Sequence, residues 1–431
     1  MTNYRICRIN RTGYAAAFDR LYGDDPGLKD LPSDQQRRAF FELHLVYGDS
    51  FSRAMEALGN ESLEILCNAE HIQKKWAQEH DVSYTETGWA QEIVRAQIAA
   101  FAPDVVYIQG ISTDAQGFLP EGDFRQAFPG VKLVVAYSGF PHDMDRFGGV
   151  DLVLSCTPEI AGYYQDRGLN SPLVYHGFDE GIADALAQRH TGEAPDREDF
   201  DFVFTGLSGV GFRGGHKGRY WDLVRLILET GLKAWVYDGL ERLDTEGVSP
   251  EDAANLGAMM LNGAQAATPA AMIQLLRQIH NDNLGSDSPA IPLTMLFPDR
   301  CQNPVFGLDM FDLLGRSKVV FNRHTDAVGV PLFGNIRLFE AAGMGACLLT
   351  DFAPGGEALF EPDAEIVTYA SIDEAIEKAE YLADHESERA TIAAAGAKRV
   401  RASHTVRHRC EQIDAMIVEA LAGKSPARAA L

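Results

Sequence analysis

The chain has 431 residues, and because one compact core usually stops growing at roughly 250–300 residues, two domains are expected. Hydrophobic residues make up 46% and charged residues 23%, which is typical of a folded globular protein and excludes a largely disordered one. The formal net charge of −24 argues against a nucleic-acid binder and against adsorption to anionic lipid through overall charge, since both need a basic surface.

Short apolar runs alternate with helical stretches in the first half of the chain, which is the pattern of a parallel sheet covered by helices. The clearest helices are predicted at Phe51–Leu58 and Trp89–Phe101. Strands are predicted at Tyr4–Ile9, Leu63–Cys67, Val105–Gln109, Leu133–Tyr137, Leu152–Ser155 and Leu173–Tyr175. Several runs are followed by Gly, Pro or Ser, so the carboxyl ends of these strands lead into loops, where open α/β sheets bind ligands.

The polar stretch 180–199 predicts a connection between an N-terminal domain, 1–185, and a C-terminal domain, 200–410. Residues 239–292 interrupt the alternation and predict an inserted helical subdomain or lid, and 411–431 predict a C-terminal helix and tail. In the second domain, strands are predicted at Phe200–Thr205, Ala234–Tyr237, Leu293–Phe297, Lys318–Phe321, Ala346–Thr350 and Glu365–Tyr369. Helices are predicted at 220–230, 270–280, Met310–Leu314 and Asn335–Met344, and from a capping box of Ser371 with Glu374.

The segment VPLFGNIRLFEAAGMGACLLTD, Val330 to Asp351, carries the clearest chemical signal. Asn335 suits a helix N-cap, and the free N–H groups of the next turn, with the helix dipole, form an anion site suited to a diphosphate. Arg337 lies in that first turn, where a cation is unfavourable unless an anion is near, and Glu340 could accept both hydroxyls of a ribose. A plain amphipathic helix with an N-cap and a glycine C-cap explains the same spacing, so the pattern alone leaves both interpretations open.

The same segment resembles the donor-site motif of the glycosyltransferase group 1 superfamily, and it is most similar to the spore-maturation-type branch. The matching positions are Asn335, Arg337, Phe339, Glu340, Ala341, Gly345 and Ala346. With its flanking segments the resemblance covers about Gly307 to Arg409, whereas the N-terminal half matches only in style. It implies an α/β protein of GT-B type, with two Rossmann-like domains facing a central cleft. The implied activity is hexosyltransferase-like, moving a sugar from a nucleotide-sugar to an acceptor hydroxyl in bacterial glycan or glycoconjugate synthesis.

The resemblance also implies roles for individual residues. Glu340 would bind the ribose, and Asn335 and Arg337 would face the diphosphate. Further nucleotide-sugar contacts are implied for Phe306 and Gly307 beside the base, and for Gly206, His216, Arg219, Arg323, Thr350 and Asp351. Many retaining members carry a Glu eight positions before the ribose-binding Glu, and Leu332 stands there in this chain. The stereochemistry, retaining or inverting, therefore stays open.

An inverting enzyme would need a general base from the first domain to deprotonate the acceptor hydroxyl. His142 and Asp143 follow the predicted strand Leu133–Tyr137 and are the candidates, although a polar loop with a helix N-cap explains them equally. His176 is a further candidate at the expected cleft. His44 interrupts an apolar helix face and is interpreted as a core histidine.

Neither a metal nor a cofactor is expected. The sequence has no HExxH motif and no Cys/His cluster, and the resembled fold neutralises a leaving diphosphate with a helix dipole and basic side chains. The expected partners are a nucleotide-sugar and an acceptor that is a saccharide, lipid-linked or a protein, and nucleic acid is not expected. The six cysteines are scattered, and no signal peptide or membrane span is predicted, so a cytoplasmic protein that visits a membrane only peripherally is expected.

Two alternatives to a glycosyltransferase remain. The first is a GT-B enzyme with another reaction, such as a sugar-nucleotide epimerase or a phosphorylase. A phosphorylase would need a cofactor-bearing lysine, and no lysine lies near the donor motif. The second is a non-catalytic scaffold that binds a nucleotide-sugar, which the missing Glu at Leu332 favours.

Overall fold

A computed structural model describes most of the chain in two compact units, Met1–Ile182 with His404–Leu431, and Ala183–Ser403. The described residues are 3–13, 15–46, 48–110, 118, 120, 124–190, 200–210, 217–238, 268, 271, 272, 274, 275, 277, 278, 291–327, 330–353 and 355–423. Most of the predicted insertion 239–292, including most of the predicted helix 270–280, lies outside them.

The first unit is built on parallel strands. These are β1 (Arg5–Asn10), β2 (Glu61–Leu66), β3 (Val105–Gln109), β4 (Leu133–Tyr137) and β5 (Leu152–Leu154), in the sheet order β2-β1-β3-β4-β5. Its helices are α1 (Ala15–Asp24), α2 (Ser33–Phe41), α3 (Ser50–Ala57), α4 (Glu70–Glu79), α5 (Trp89–Phe101), α6 (Phe124–Ala127) and α7 (Pro158–Gln165), and the next helix, α8 (Gly181–Arg189), continues into the second unit. All residues of β3 and β4 are buried, which explains their uninterrupted apolar sequences. The division between the units falls inside α8, so the predicted polar connection begins as a helix.

The second unit holds a larger parallel sheet. Its strands are β6 (Phe200–Leu207), β7 (Lys233–Tyr237), β8 (Cys301–Gln302), β9 (Ser317–Asn322), β10 (Asp326–Ala327), β11 (Val330–Pro331), β12 (Cys347–Asp351) and β13 (Val367–Tyr369). Six of them form the sheet β13-β12-β9-β6-β7-β8, and β10 pairs with β11 in a separate antiparallel ribbon. The helices are α9 (Lys217–Glu229), α10 (Leu293–Leu296), α11 (Gly307–Gly315), α12 (Ile336–Gly343), α13 (Ile372–Asp384) and α14 (Glu386–Ser403).

The last helix, α15 (Val406–Leu421), belongs to the first unit. Its residues Cys410, Ile413 and Ile417 are buried in the same core as the side chains of α3 and the sheet. Just before α15 the backbone of Thr405 pairs with that of Phe178. A Cβ atom on Gly177 would lie 2.7 Å from the Thr405 carbonyl, so only glycine fits where the two segments cross.

Most of the predicted elements are confirmed within one to three residues at each end, but two predicted strands are wrong. Leu293–Leu296 is a helical turn whose start is fixed by Pro292 and by the Asp238 carboxylate, which accepts from the Thr294 N–H and hydroxyl at 3.2 and 2.9 Å. A short apolar run has no periodicity that separates strand from buried helix, which explains the error. The second wrong strand prediction is 173–175, where the backbone forms an isolated bridge from Leu173 to Ser155.

The capping box predicted for α13 forms in a modified way. The Ser371 hydroxyl accepts from the Glu374 N–H at 3.2 Å, as predicted. The Glu374 carboxylate accepts from the Ala370 N–H at 2.7 Å, one residue before the position that a capping box uses.

Candidate functional site

A polar network lies at the carboxyl ends of β9 and β12, which are hydrogen-bonded neighbours in the second sheet. The Asn322 side-chain amide donates to the Thr350 hydroxyl at 2.9 Å, and the Asn335 amide donates to Asn322 Oδ1 at 2.8 Å. The Tyr369 hydroxyl donates to the Asn322 carbonyl oxygen at 3.1 Å. Asn322 therefore ties the start of α12 to the ends of three strands.

Asn335 occupies the N-cap position of α12 with an extended backbone, but its side chain makes no capping hydrogen bond. The predicted capping role of that side chain is therefore wrong, because the amide is turned toward the sheet edge instead. Asn335 Oδ1 is buried and has no hydrogen-bond partner in the described part of the chain. The first N–H groups of α12 have no acceptor within the helix, so the positive end of its dipole lies at this edge of the sheet.

Arg337 and Glu340 form a buried ion pair within α12. Arg337 Nη1 donates to Glu340 Oε2 at 2.7 Å, and the two side chains are 15% and 3% exposed. Burial raises the pKa of the Glu340 carboxyl, and the Arg337 charge opposes that rise. A cation in this first turn was expected to indicate an external anion, and Glu340 provides one from within the helix. The position of Arg337 by itself thus gives no information about a phosphate.

The pair also connects α12 to α11. Arg337 Nη1 lies 3.1 Å from the sulfur of Met310, in α11. Phe306 is the N-cap residue of α11, and Gly307 begins the helix with a φ of 58°, a left-handed value that favours glycine. The residues predicted to lie beside the nucleotide base thus begin the helix that contacts Arg337.

Arg219 and Arg323 lie together beside the end of β9. A guanidinium nitrogen of the buried Arg219 donates to the Arg323 carbonyl oxygen, and Arg323 itself forms an ion pair with Asp222 of α9. A Cβ atom on Gly218 would lie 2.6 Å from the Arg323 guanidinium, so that glycine makes room for the pair. Gly206 lies near the end of the adjacent strand β6, and the predicted site residue His216 lies outside the described residues.

The structure adds His324, which sequence reasoning did not select. Asp351 Oδ1 accepts from both the backbone N–H and the Nδ1 of His324, each at 2.8 Å. Burial acts to raise the pKa of Asp351, but the hydrogen bonds from His324, with the charge of Arg323, hold it below its usual range. The available signal was positional, since His324 and Asp351 stand at the ends of two apolar strands that neighbour each other in the sheet.

Several buried polar atoms at the carboxyl ends of strands in the second sheet have no hydrogen-bond partner among the described residues. They include Thr205 Oγ1, Asp238 Oδ1, His324 Nε2 and Asn335 Oδ1. Val203 of β6 lies opposite Val320 of β9. Thr205 and Asn322 are each two positions further along their strands, so Thr205 adjoins the network. About 90% or more of buried polar groups in native proteins are hydrogen-bonded, so these unpaired atoms indicate a place for a polar ligand or ordered water.

The general-base candidates His142 and Asp143 belong to the first unit, in the loop after β4. The loop is fixed at the Phe140 carbonyl, which accepts from the Tyr164 hydroxyl at 2.6 Å and the Ser138 hydroxyl at 3.0 Å. Burial, and then the Arg146 charge, lowers the pKa of His142, whereas Asp143 is exposed and makes no capping bond. An imidazole with a lowered pKa is neutral at physiological pH and can accept a proton.

The other two histidines differ in their surroundings. A ring nitrogen of His176 lies 3.2 Å from the Tyr137 hydroxyl, and burial, with the Arg409 charge, lowers the pKa of His176 to about 4. His44 follows the end of α2 with a φ of 51°, so the prediction that it interrupts a helix face is wrong.

The described ranges lack two features. They contain no group of three or more His, Cys, Asp or Glu residues placed to hold a metal ion. No helix in these ranges is long and apolar enough to cross a membrane. The expectation of a metal-free, cofactor-free reaction stays a prediction.

Comparison with known proteins gives one family match and several similar folds. Residues 272–415 match a family model described as glycosyl transferase-like. Sucrose-phosphate synthase from Thermosynechococcus elongatus superposes with a TM-score of 0.53 at 12% identity, covering 97% of this chain and 100% of that one. A glycosyltransferase from Rickettsia africae ESF-5 gives 0.49 at 8% identity, covering 98% and 99%. Anabaena HepE in complex with UDP and glucose gives 0.48 at 13% identity, covering 97% and 100%. No curated protein sequence matches the chain significantly.

The family match contains both the Asn335–Glu340 helix start and the His324–Asp351 pair. Each of the two units is a Rossmann-like α/β unit on a parallel sheet. The chain therefore has the GT-B fold, and its residues 272–415 match the glycosyl transferase-like family.

Proposed function

We propose that this protein is a glycosyltransferase of the group 1 superfamily, in its spore-maturation-type branch, that moves a sugar from a nucleotide-sugar to an acceptor hydroxyl. The observation that carries the proposal is the buried, unpaired Asn335 Oδ1 at the positive end of α12, together with the buried, unpaired His324 Nε2 just beyond the end of β9. A nucleotide-sugar has hydroxyls for these acceptors and a diphosphate for the helix start. The segment that matches the glycosyl transferase-like family contains this place.

The chemistry assigned to the second unit is stabilisation of the leaving group. In the transfer, the bond between the sugar carbon and the diphosphate oxygen breaks, and negative charge develops on the diphosphate. The N–H groups that begin α12 are preorganised dipoles aimed at that charge, so they lower the barrier without a metal ion. Arg219 adds positive charge beside the same edge, and Arg323, whose charge is balanced by Asp222, lies next to it.

Glu340 is assigned to the ribose. In the 2.7 Å contact, Arg337 binds one of the two carboxylate oxygens of Glu340, Oε2. The charge of Arg337 also favours the ionised form of Glu340, which accepts hydrogen bonds from hydroxyls. Arg337 is therefore assigned to positioning and charging Glu340, in addition to any contact with phosphate. Phe306 and Gly307, at the start of α11, are assigned to the base.

The acceptor half of the reaction is assigned to the first unit. As the new bond forms, the acceptor hydroxyl must lose a proton to a base. His142 is our first candidate, because its lowered pKa leaves the ring neutral and able to take that proton, and Asp143 is the second. We further propose a hexosyl donor, a cytoplasmic location and a role in bacterial glycan synthesis, as the motif resemblance implies.

A thermal-shift screen against UDP-, GDP-, CMP- and dTDP-sugars tests the donor site. A ligand that binds the folded protein raises its melting temperature with the logarithm of ligand concentration over Kd. We expect at least one donor to stabilise the protein, and Glu340→Ala to weaken that effect. The control Asp201→Asn breaks the surface pair with Lys318, in which Asp201 is 68% exposed, and should leave the shift unchanged.

Product analysis then separates the transferase from its alternatives. Transfer to an added sugar, or slow hydrolysis of the donor, supports a glycosyltransferase. A changed sugar still attached to its nucleotide would identify an epimerase. Donor binding without any turnover across the panel would favour the scaffold alternative, and neither binding nor turnover would refute the proposal.

A further inference from the structure

The His324 ring is fixed by one carboxylate. Asp351 Oδ1 accepts hydrogen bonds from the main-chain N–H and from the ring Nδ1 of His324, each at 2.8 Å. An ionised carboxylate can only accept, so Nδ1 carries a proton. In the neutral ring, the other nitrogen, Nε2, then has a free lone pair and is an acceptor.

Two aromatic rings hold the imidazole in place. The Phe333 ring stacks on it with the centroids 4.6 Å apart and an angle of 30°, and Phe352 packs against Phe333 at 5.3 Å. A Cβ atom on Gly356 would lie 2.8 Å from both phenyl rings, so these rings are themselves closely confined. The direction of Nε2 is thus set before any ligand arrives.

His324 Nε2 nevertheless has no partner among the described residues. The side chain is 1% exposed, and Nε2 is buried without a hydrogen bond. A buried acceptor that is fixed by a carboxylate and by aromatic packing, yet unpaired, needs a donor from outside the protein. A phosphate that is fully ionised has no hydrogen to donate, whereas a hydroxyl has one.

The order of the side chains indicates which hydroxyl this is. Along this edge, Arg337 with Glu340 contacts α11, and Asn335 contacts Asn322 of β9. His324 lies two residues beyond Asn322. If Glu340 binds the ribose and the start of α12 binds the diphosphate, the next part of a nucleotide-sugar, its sugar, falls on the side of His324.

We propose that His324 Nε2 accepts a hydrogen bond from a hydroxyl of the transferred sugar, and that Asp351 is the positioning residue that fixes its tautomer. The proposal rests on the proposed function. It makes His324 a residue that recognises the sugar and not the nucleotide. It also makes Asp351 act through His324 and not on the ligand.

Titration calorimetry tests this with matched ligands, using whichever of the pairs UDP and UDP-glucose, GDP and GDP-mannose, or dTDP and dTDP-glucose the wild type binds. We expect His324→Phe to weaken nucleotide-sugar binding by about 10-fold to 100-fold, because a hydroxyl loses its buried partner. Affinity for the nucleoside diphosphate should change by less than about 3-fold. Asp351→Ala should give the same selective loss, and Asp351→Asn, which can still accept from Nδ1, should restore part of it.

The matched control is His190→Gln. His190 forms another His–Asp pair in the second unit, with Nε2 2.9 Å from Asp312, and is assigned no ligand contact. It should leave the affinities for both ligands unchanged. If a His324 variant does not fold, nitrogen-15 NMR of the wild type gives the same information, since the Nε2 resonance should move with the nucleotide-sugar and not with the diphosphate.

Four results would overturn the assignment. They are equal losses for both ligands, no loss for either, a resonance that responds to the diphosphate alone, and a spectrum with the proton on Nε2. A wild type that binds neither these six ligands nor any donor of the thermal-shift panel would instead refute the proposed function, and the assignment would fall with it. The binding measurements on the wild type therefore separate the two failures.

Discussion

The buried pair of Arg337 and Glu340 gives a prediction in which stability and function can be separated. Replacing Arg337 with Met leaves Glu340, 3% exposed, without the cation 2.7 Å away. Breaking a buried ion pair from one side costs about 3–5 kcal/mol, whereas replacing both partners with neutral groups can be close to neutral. We therefore expect Arg337→Met and Glu340→Gln to be destabilising singly and to show a coupling energy of about 2 kcal/mol or more in the double variant.

The pH dependence follows from the direction of the Glu340 pKa. Burial raises it in the folded protein, so the group contributes stability at low pH that is lost as the pH rises through the folded-state pKa. Without Arg337, which opposes that rise, the pKa should rise further. The loss of folding stability caused by Arg337→Met should accordingly be larger at pH 8 than at pH 5.5, because protonation of Glu340 at the lower pH removes its unpaired buried charge.

Urea unfolding of the wild type, both single variants and the double variant, followed by circular dichroism at the two pH values, measures the coupling. Asp201→Asn is the control, since the pair with Lys318 is exposed at Asp201 and should be worth less than about 1 kcal/mol. Single-variant losses that add within about 0.5 kcal/mol in the double variant would refute the coupling. A loss from Arg337→Met that is the same at both pH values would refute the assigned role of burial.

Three further predictions concern single positions. Gly396→Ala should destabilise the protein by about 2 kcal/mol in urea, because the new Cβ would lie 2.3 Å from the Glu365 carbonyl oxygen; a gain of about 1 kcal/mol, usual for this change in a helix, would contradict the packing. His176 has a folded-state pKa of about 4, below its ordinary value of about 6.5, so the stability it contributes above pH 6.5 is lost as the pH falls toward 4. His176→Gln should flatten the dependence of the urea midpoint on pH in that window, by up to about 3 kcal/mol, and an unchanged pH profile would refute it. Ser371→Ala should cost about 1 kcal/mol by removing the 3.2 Å cap on the Glu374 N–H, and an unchanged melting temperature would count against it.

Several features of the candidate site could be predicted from sequence because they depend on neighbours along the chain. The Asn335 helix start, Glu340 one turn later and the strand that ends at Asp351 are all local, and the structure places them at one sheet edge. The partner of Arg337 was also local, at i+3, but an ion pair and a phosphate contact give the same pattern. Only the burial of Glu340 shows that the cation has an anion inside the protein.

The remaining features depend on contacts between residues far apart in sequence. His324 and Asp351 are 27 positions apart, and their hydrogen bonds exist because β9 and β12 are neighbours in the sheet. The Asn335 side chain was expected to cap its helix, but Asn322, across the sheet edge, competes for it. No periodicity in the chain reports such a competition between partners.

The sequence by itself determined the α/β class, the positions of most strands and the helix start that defines the candidate donor site, because hydrophobic periodicity and capping act over a few residues. Tertiary structure alone decided that α15 returns to the first unit, where Asp414 accepts hydrogen bonds from Tyr4 and Asn60 at 2.7 and 2.8 Å. It also decided that Leu293–Leu296 is a helical turn and that His324 is held with an unpaired nitrogen. The physical reason is that burial and pairing between distant segments select among local structures that the chain allows equally well.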